Sequence, residues 1–188
     1  MSTLIVIEGD NGTGKDSLAL HLQSLGFEIV TYAIDIKKYE MAARALSGEE
    51  RLLAFLGYNK QCGLKAISSA NPSLLVRYWI STIAAAYADK CWSWEMAEEK
   101  IEYCLKEHPV PNLVVKLECD LLLRTNRIEI RGTGTGDDMC LERDNRYRWA
   151  LNKIETYLPE WENVNTSQLT IVQVFQVVTS ILKKRQLA

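Results

Sequence analysis

The sequence has little proline, four residues in 188, and only three phenylalanines. It also lacks internal repeats, heptad arrays and low-complexity linkers, which excludes solenoids, long coiled coils and a chain divided by a flexible spacer. A basic excess is absent too: 22 Lys and Arg face 24 Asp and Glu, a net charge of -2, so a nucleic-acid partner is not expected. The five cysteines are odd in number and show no C-x-x-C spacing. They read as reduced cytosolic thiols rather than a disulfide framework or a zinc site. The apolar run "TLIVIEG" is too short to cross a membrane and carries no basic leader, so a cytoplasmic, unanchored protein is expected.

What is present is the balance of an ordinary globular domain, 47% hydrophobic and 24% charged, long enough for one domain with a two-sided core. "LIVI" is a fully apolar run ending at Gly9, as a strand buried on both faces requires. Leu18, Leu22 and Leu25 then recur at helical spacing up to Gly26. Further along, "FEIVTYAI" reads as a strand, and residues 37–69 as largely helical, with Leu53, Leu56, Lys60 and Leu64 on one face. "NPSLLV" reads as turn and strand, "ISTIAAAYADKCW" and "SWEMAEEKIEYCLKEH" as helices, and "NLVVKLEC" as a strand. "DLLLRTNRIEIRG" and "ERDNRYRWALNKIETYL" read as helices flanking the loop "TGTGDDM", and "NVNTSQ" leads into a closing helix. Strands alternating with helices imply an α/β layered fold with a parallel sheet.

The chemistry concentrates near the start. "GDNGTGK" (Gly9 to Lys15) has the G-x-x-x-x-G-K spacing of a phosphate-binding loop, set between a strand and a helix. Gly9, Gly12 and Gly14 allow the backbone to curl so that its N–H groups, including those of Asp10, Asn11 and Thr13, converge on phosphate oxygens. Lys15 supplies a compact cation for the β- and γ-phosphates of ATP. The next position normally carries a hydroxyl for Mg²⁺; here it is Asp16. A carboxylate also ligates Mg²⁺, but without metal it repels phosphate by about 4 kcal/mol at 4 Å and an effective dielectric of about 20. Two readings stand: Asp16 holds the metal, or it faces solvent as a first-turn acid while Ser17 assists.

Several segments, in order, resemble the thymidylate kinase family of P-loop nucleoside monophosphate kinases. "IVIEGDNGTGK" is similar to that family's opening, "LLVRYWIST" to its D-R-Y segment, and "VVKLECDLLLRTNRIEIRG" to the strand and helix before its lid. "IETYL" resembles the Tyr-containing helix after the lid, and "VNTSQLTIVQVFQVV" the closing stretch. The resemblance implies a three-layer P-loop kinase fold with a lid at about 128–146, and γ-phosphoryl transfer from ATP and Mg²⁺ to a nucleoside monophosphate. It implies Lys15, Arg77 and Arg131 as catalytic, with residues 9–17 and Arg127 holding ATP. Asn11, Phe55, Asn59, Arg77, Ser81 and Tyr157 would face the acceptor; Arg143 and Arg146 would join Arg127 and Arg131 in the lid. The alanine-rich "TIAAAYA" would pack across a homodimer.

The departures from the pattern fall at functional positions. Val76 replaces the D-R-Y acid, Asn11 an Asp on the acceptor sugar, Asn59 an arginine, and Ala85 and Ala86 an aromatic and an amide. The donor half is therefore better preserved than the acceptor half, which points away from ordinary thymidine monophosphate. The alternatives are a P-loop kinase for a nucleoside or a DNA base, and a catalytically weak nucleotide-binding homologue. Five tryptophans (79, 92, 94, 149 and 161) read as core, with two or three as acceptor-pocket candidates. His21 and His108 lack a metal or nucleophile partner in sequence and read as structural or exposed.

Overall fold

A computed structural model describes residues 3–132 and 141–187, without the side chains of residues 131 and 141. The loop expected at the heart of a lid, residues 133–139, lies outside the described residues. Five strands form one sheet: β1 (Leu4–Gly9), β2 (Glu28–Ile29), β3 (Ser73–Val76), β4 (Leu113–Glu118) and β5 (Trp161–Asn165). Their order is β2-β3-β1-β4-β5, and every neighbouring pair is parallel. The helices are α1 (Lys15–Gln23), α2 (Ile34–Arg44), α3 (Gly48–Ser68), α4 (Trp79–Ala88), α5 (Trp94–Glu107), α6 (Leu121–Arg131), α7 (Leu141–Glu155) and α8 (Ile171–Lys184).

The period of two along β1 builds the layers. Leu4 and Val6 face a cluster formed with α3, α4, α5 and α7, while Ile5 and Ile7 face α1 and α8. Both faces are thus covered, as a parallel sheet demands. β1 sits between β3 and β4, and the crossover from β3 to β4 passes over it, so a crevice opens at the carboxyl ends of these strands.

Four expectations change. The second strand shrinks to two residues, followed by a 3-10 turn at Val30–Tyr32. At this sheet edge the Thr31 hydroxyl accepts from the Val76 N–H at 3.3 Å, a partner that a longer ladder would have supplied. The helical stretch after residue 37 divides into α2 and α3, and α3 buries Leu56, Asn59, Cys62, Gly63 and Ala66, leaving Leu53 and Leu64 on the exposed side. "WENVN" is a strand although it reads as a loop: it lies at the sheet edge, buries only Val164, and keeps its acids outward, where Arg185 pairs with Glu160 and Glu162. The alanines 84, 86 and 88 turn inward, where their small size lets α4 lie close to α7 within the same chain.

The tryptophans line no acceptor pocket. Trp79 and Trp92 are core, Trp94 and Trp149 pack around Tyr87, and the Trp161 indole donates to Asn163. His108 is buried, with Nε2 3.0 Å from the Leu56 carbonyl oxygen, and burial holds its pKa below the ordinary histidine value.

A folded-state pKa below the unfolded one makes His108 stabilising above the unfolded value and costly as pH falls through the folded value. Unfolding free energy from urea titrations should therefore decline below about pH 6.5. In His108→Gln, whose amide can still donate to Leu56, that part of the slope should vanish.

Candidate functional site

The crevice is built on the loop leaving β1. Gly9, Gly12 and Gly14 all have positive φ, 131°, 81° and 95°, as the curl requires. A Cβ at Gly12 would run into the side chain and carbonyl of Arg124, so the loop lies pressed against α6. Thr13 and Lys15 fasten the loop from inside: the Thr13 hydroxyl and the Lys15 ammonium both donate to the Asp10 carbonyl, at 2.9 and 2.5 Å. Lys15 is 5% exposed, and burial pushes its pKa well down, with Arg77 acting the same way against Glu8, Asp16 and Asp10.

Two clefts meet here. One, about 360 Å³, is lined by Asn11, Gly12 and residues 14–17 of the loop, by Thr31, Tyr32 and Lys37 opposite, and by Arg77. The other, about 570 Å³, shares Asn11, Glu40, Tyr58, Val76 and Arg77 with the first. It continues between α3, through Arg51, Phe55 and Asn59, and α4, through Ser81, Thr82 and Ala85, to Asp89 and Arg143.

Arg77 stands where the clefts join, in the left-handed backbone region with φ 68°. Its N–H donates to Ile7 of β1, and its guanidinium donates to the Tyr147 hydroxyl at 2.9 Å and the Asn11 side-chain oxygen at 2.5 Å. Beneath it lies Glu8, fully buried. One carboxylate oxygen accepts from the Tyr78 N–H at 2.9 Å and the Ser81 hydroxyl at 3.1 Å; the other, Oε2, has no hydrogen-bond partner among the described residues. Burial raises the Glu8 pKa, opposed by Arg77, these hydrogen bonds and Lys15.

A second network clamps the loop from above. Arg148 donates to Asp10 Oδ2 at 2.7 Å, and Arg124, 2% exposed, reaches the Asn11 carbonyl at 3.4 Å while pairing with Asp144. Arg127 donates weakly to Gly12 and Thr166 carbonyls, both at 3.4 Å, between the loop and the turn after β5.

The structure thus brings together residues 9–17, Arg77 and Arg127, and places Asn11, Phe55, Asn59 and Ser81 in the second cleft. Asn59 is nine-tenths buried and donates to the Thr82 hydroxyl at 2.8 Å. Tyr157 does not belong with them. It lies beyond α7, with its hydroxyl on Glu98 of α5, and the tyrosine that α7 brings to the crevice is Tyr147. Of the arginines expected in a lid, Arg131 has its side chain outside the described ones. Arg143 and Arg146 do not point at the loop: Arg143 pairs with Asp89 at 2.5 Å, and Arg146 caps the Tyr87 and Ala88 carbonyls at the carboxyl end of α4. A cation at that end is favoured by the helix dipole. Ala85 lines the cleft, whereas Ala86 is in the core. Glu8, Arg124, Asp144, Tyr147 and Arg148 were not singled out by sequence; inward helical spacing of 147, 150, 151 and 154 was the available signal for the tyrosine.

No group of three or more His, Cys, Asp or Glu side chains suited to a metal occurs among the described residues. One exposed carboxylate, Asp16, lines the loop cleft beside Lys15 and accepts a hydrogen bond from the Tyr32 hydroxyl. A lone carboxylate fits Mg²⁺, which takes one or two protein oxygens and completes its shell with phosphate and water.

No protein-family model matches this chain, and no curated protein sequence does. Its fold is nevertheless shared with solved kinases. Thymidylate kinase from Candida albicans superimposes with a TM-score of 0.73 at 20% identity, covering 98% of this chain and 92% of that one. Deoxyadenosine kinase from M. mycoides with bound dCTP superimposes at 0.67 and 16% identity, covering 97% and 100%; with bound dATP the TM-score is 0.68. The chain therefore has the P-loop kinase fold: a five-stranded parallel sheet flanked by helices.

Removing the Glu8 carboxylate strands the Tyr78 N–H and takes the nearest buried acid from beside the buried Lys15 and the half-buried Arg77. Glu8→Ala should cost about 3–5 kcal/mol of unfolding free energy in denaturant titration, and Glu8→Gln distinctly less, because an amide oxygen still accepts both bonds.

Proposed function

We propose that this protein transfers the γ-phosphoryl group of ATP to a nucleoside monophosphate. The observation that carries the reading is the state of the acids in the larger cleft. Among the described residues, each carboxylate lining it is engaged by arginine: Asp10 by Arg148, Glu40 by Arg44, Asp89 by Arg143 and Asp144 by Arg124. Each therefore has at least one oxygen committed to a guanidinium. A phosphate monoester needs no general base, because its attacking oxygen is already anionic. The cleft supplies cations instead, Arg77 at its junction with the loop and Arg51 further along.

In this reading the curled amides and Lys15 hold the β- and γ-phosphates, whose negative charge opposes the effect of burial on the lysine. Asp16 is the protein ligand to Mg²⁺, which would neutralise the β- and γ-oxygens. Arg77, positioned by Tyr147 and Asn11, orients the acceptor phosphate with its planar fork. An acceptor oxygen forms the new bond to the γ-phosphorus as the bridge to ADP breaks. Arg127 and Arg131 belong to the donor side and a lid at about 128–146. Phe55 stacks on the acceptor base, with Asn59 and Ser81 as polar neighbours. Ala85 leaves a methyl where a larger side chain would confine a pyrimidine, so the base is wider or more substituted than thymine. The structural likeness to thymidylate and deoxyadenosine kinases supports the reading at the level of fold.

The test is ADP release with Mg²⁺-ATP and a panel of nucleoside monophosphates, nucleosides and oligonucleotides. Turnover should require a monophosphate. Turnover only with nucleosides or oligonucleotides would replace this reading, and ATP binding without turnover would make the chain a nucleotide-binding homologue.

With the active monophosphate, Arg77→Lys should raise the acceptor KM about 10- to 100-fold, the loss of one or two charge-assisted bonds. ATP affinity in the same variant should change less than about threefold. Isothermal titration and initial-rate kinetics separate the two.

A further inference from the structure

The hydrogen bond between Asp16 and Tyr32 joins two walls of the loop cleft. Asp16 is the second residue of α1, beside Lys15; Tyr32 ends the 3-10 turn after β2, across the crevice. The tyrosine hydroxyl donates to Asp16 Oδ1, and Tyr32 is 39% exposed, so the ring borders the cleft instead of supporting the core. Among the described residues the Asp16 carboxylate has no further hydrogen-bond partner, and its field acts on Lys15. A carboxylate at this position faces opposite demands: it attracts a divalent cation and repels a bare polyphosphate.

We propose that Tyr32 is a positioning residue that makes Asp16 compatible with phosphate, holding one carboxylate oxygen toward the β2 side of the cleft and leaving the other for a divalent cation. This rests on the reading of the loop as an ATP site and extends it to a residue outside the loop. A serine or threonine at position 16 is neutral and needs no restraint. An aspartate does, and the hydrogen bond supplies it by drawing negative charge onto the phenol and fixing one oxygen. The other oxygen is left for Mg²⁺, so the same geometry serves the metal-bound state.

The full-length protein allows a direct test by calorimetric titration of ATP without acceptor, once in EDTA and once in excess MgCl₂. The quantity read is the ratio of the two dissociation constants. Tyr32→Phe should weaken binding in EDTA about tenfold and change it little in MgCl₂, raising the ratio about tenfold. Asp16→Ser should lower the ratio, and adding Tyr32→Phe to Asp16→Ser should leave it unchanged. Thermal unfolding of each variant checks that the fold is intact, and Asp16→Ser approaches the pair from the other side should the phenylalanine variant be unstable. Equal weakening in both media, or the same Tyr32 effect in the Asp16→Ser background, overturns the inference while leaving the ATP site standing. No ATP binding by the unmodified protein in either medium overturns the ATP site and this inference together.

Discussion

Glu8 is the carboxylate on which the crevice is organised. It lies fully buried at the end of β1 and accepts from the first N–H of the turn into α4 and from Ser81 one turn later. Burying a carboxylate is expensive unless it is paired and hydrogen-bonded. Here two hydrogen bonds meet it on one oxygen, and Lys15 and Arg77 supply opposite charge nearby. The same contacts hold Arg77 in a left-handed backbone conformation, which costs a non-glycine residue about 1–2 kcal/mol. Burial, and after it the Arg77 guanidinium, lowers the Lys15 pKa, and Glu8 opposes both and so favours the two cations beside the phosphate loop.

The second clamp works from the outside. Asp10 is gripped by Arg148 of α7, and Arg124 of α6 links the Asn11 carbonyl to Asp144 of α7. These two helices flank residues 133–140. Loop, α6 and α7 therefore form one ion-paired body. Further along α7, Arg143 and Arg146 fasten that helix to the carboxyl end of α4. Movement of α7 thus bears on the loop at Asp10 and on the far end of the larger cleft at Asp89. Cations paired in this way are held at acidic partners, while Lys15, Lys37 and Arg77 line the loop cleft itself and Arg127 reaches the Gly12 carbonyl.

The loop was legible because its requirements are local. Three glycines at positive φ, one lysine and a strand-to-helix context are contiguous in sequence and mean little else. The parallel sheet was legible from fully apolar runs such as "LIVI" and "LVV". The short β2 and the polar β5 were not, because edge strands bury one residue or none and carry the charges and turns of a loop. The clamps were also hidden. Arg148 meets Asp10 across 138 positions, and Arg124 meets Asn11 across 113, while each arginine reads locally as one more charge on a helix. The choice of Tyr157 over Tyr147 shows the limit of motif matching: "IETYL" resembled a pattern, but inward periodicity carried Tyr147, Ala150, Leu151 and Ile154 into the core.

The two unusual positions of the sequence, Asp16 and Val76, line the same cleft. One wall has gained a carboxylate at the first turn of α1, and another carries an apolar side chain at the end of β3 where the resembled family has an acid. Lys15, Lys37 and Arg77 face Asp16 and Glu40 across this space. Moving the negative charge from β3 to α1 leaves that sum unchanged, and with it the long-range field on an incoming polyphosphate. What changes is position. A carboxylate on β3 would stand next to Arg77 and compete for the guanidinium that the proposed acceptor phosphate needs. On α1 it stands next to Lys15, and Val76 leaves the Arg77 guanidinium hydrogen-bonded to Tyr147 and Asn11, with Glu8 beneath it as the nearby acid. Under the proposed function, the pair Asp16 and Val76 places the metal-attracting carboxylate beside Lys15 and keeps a second acid away from Arg77.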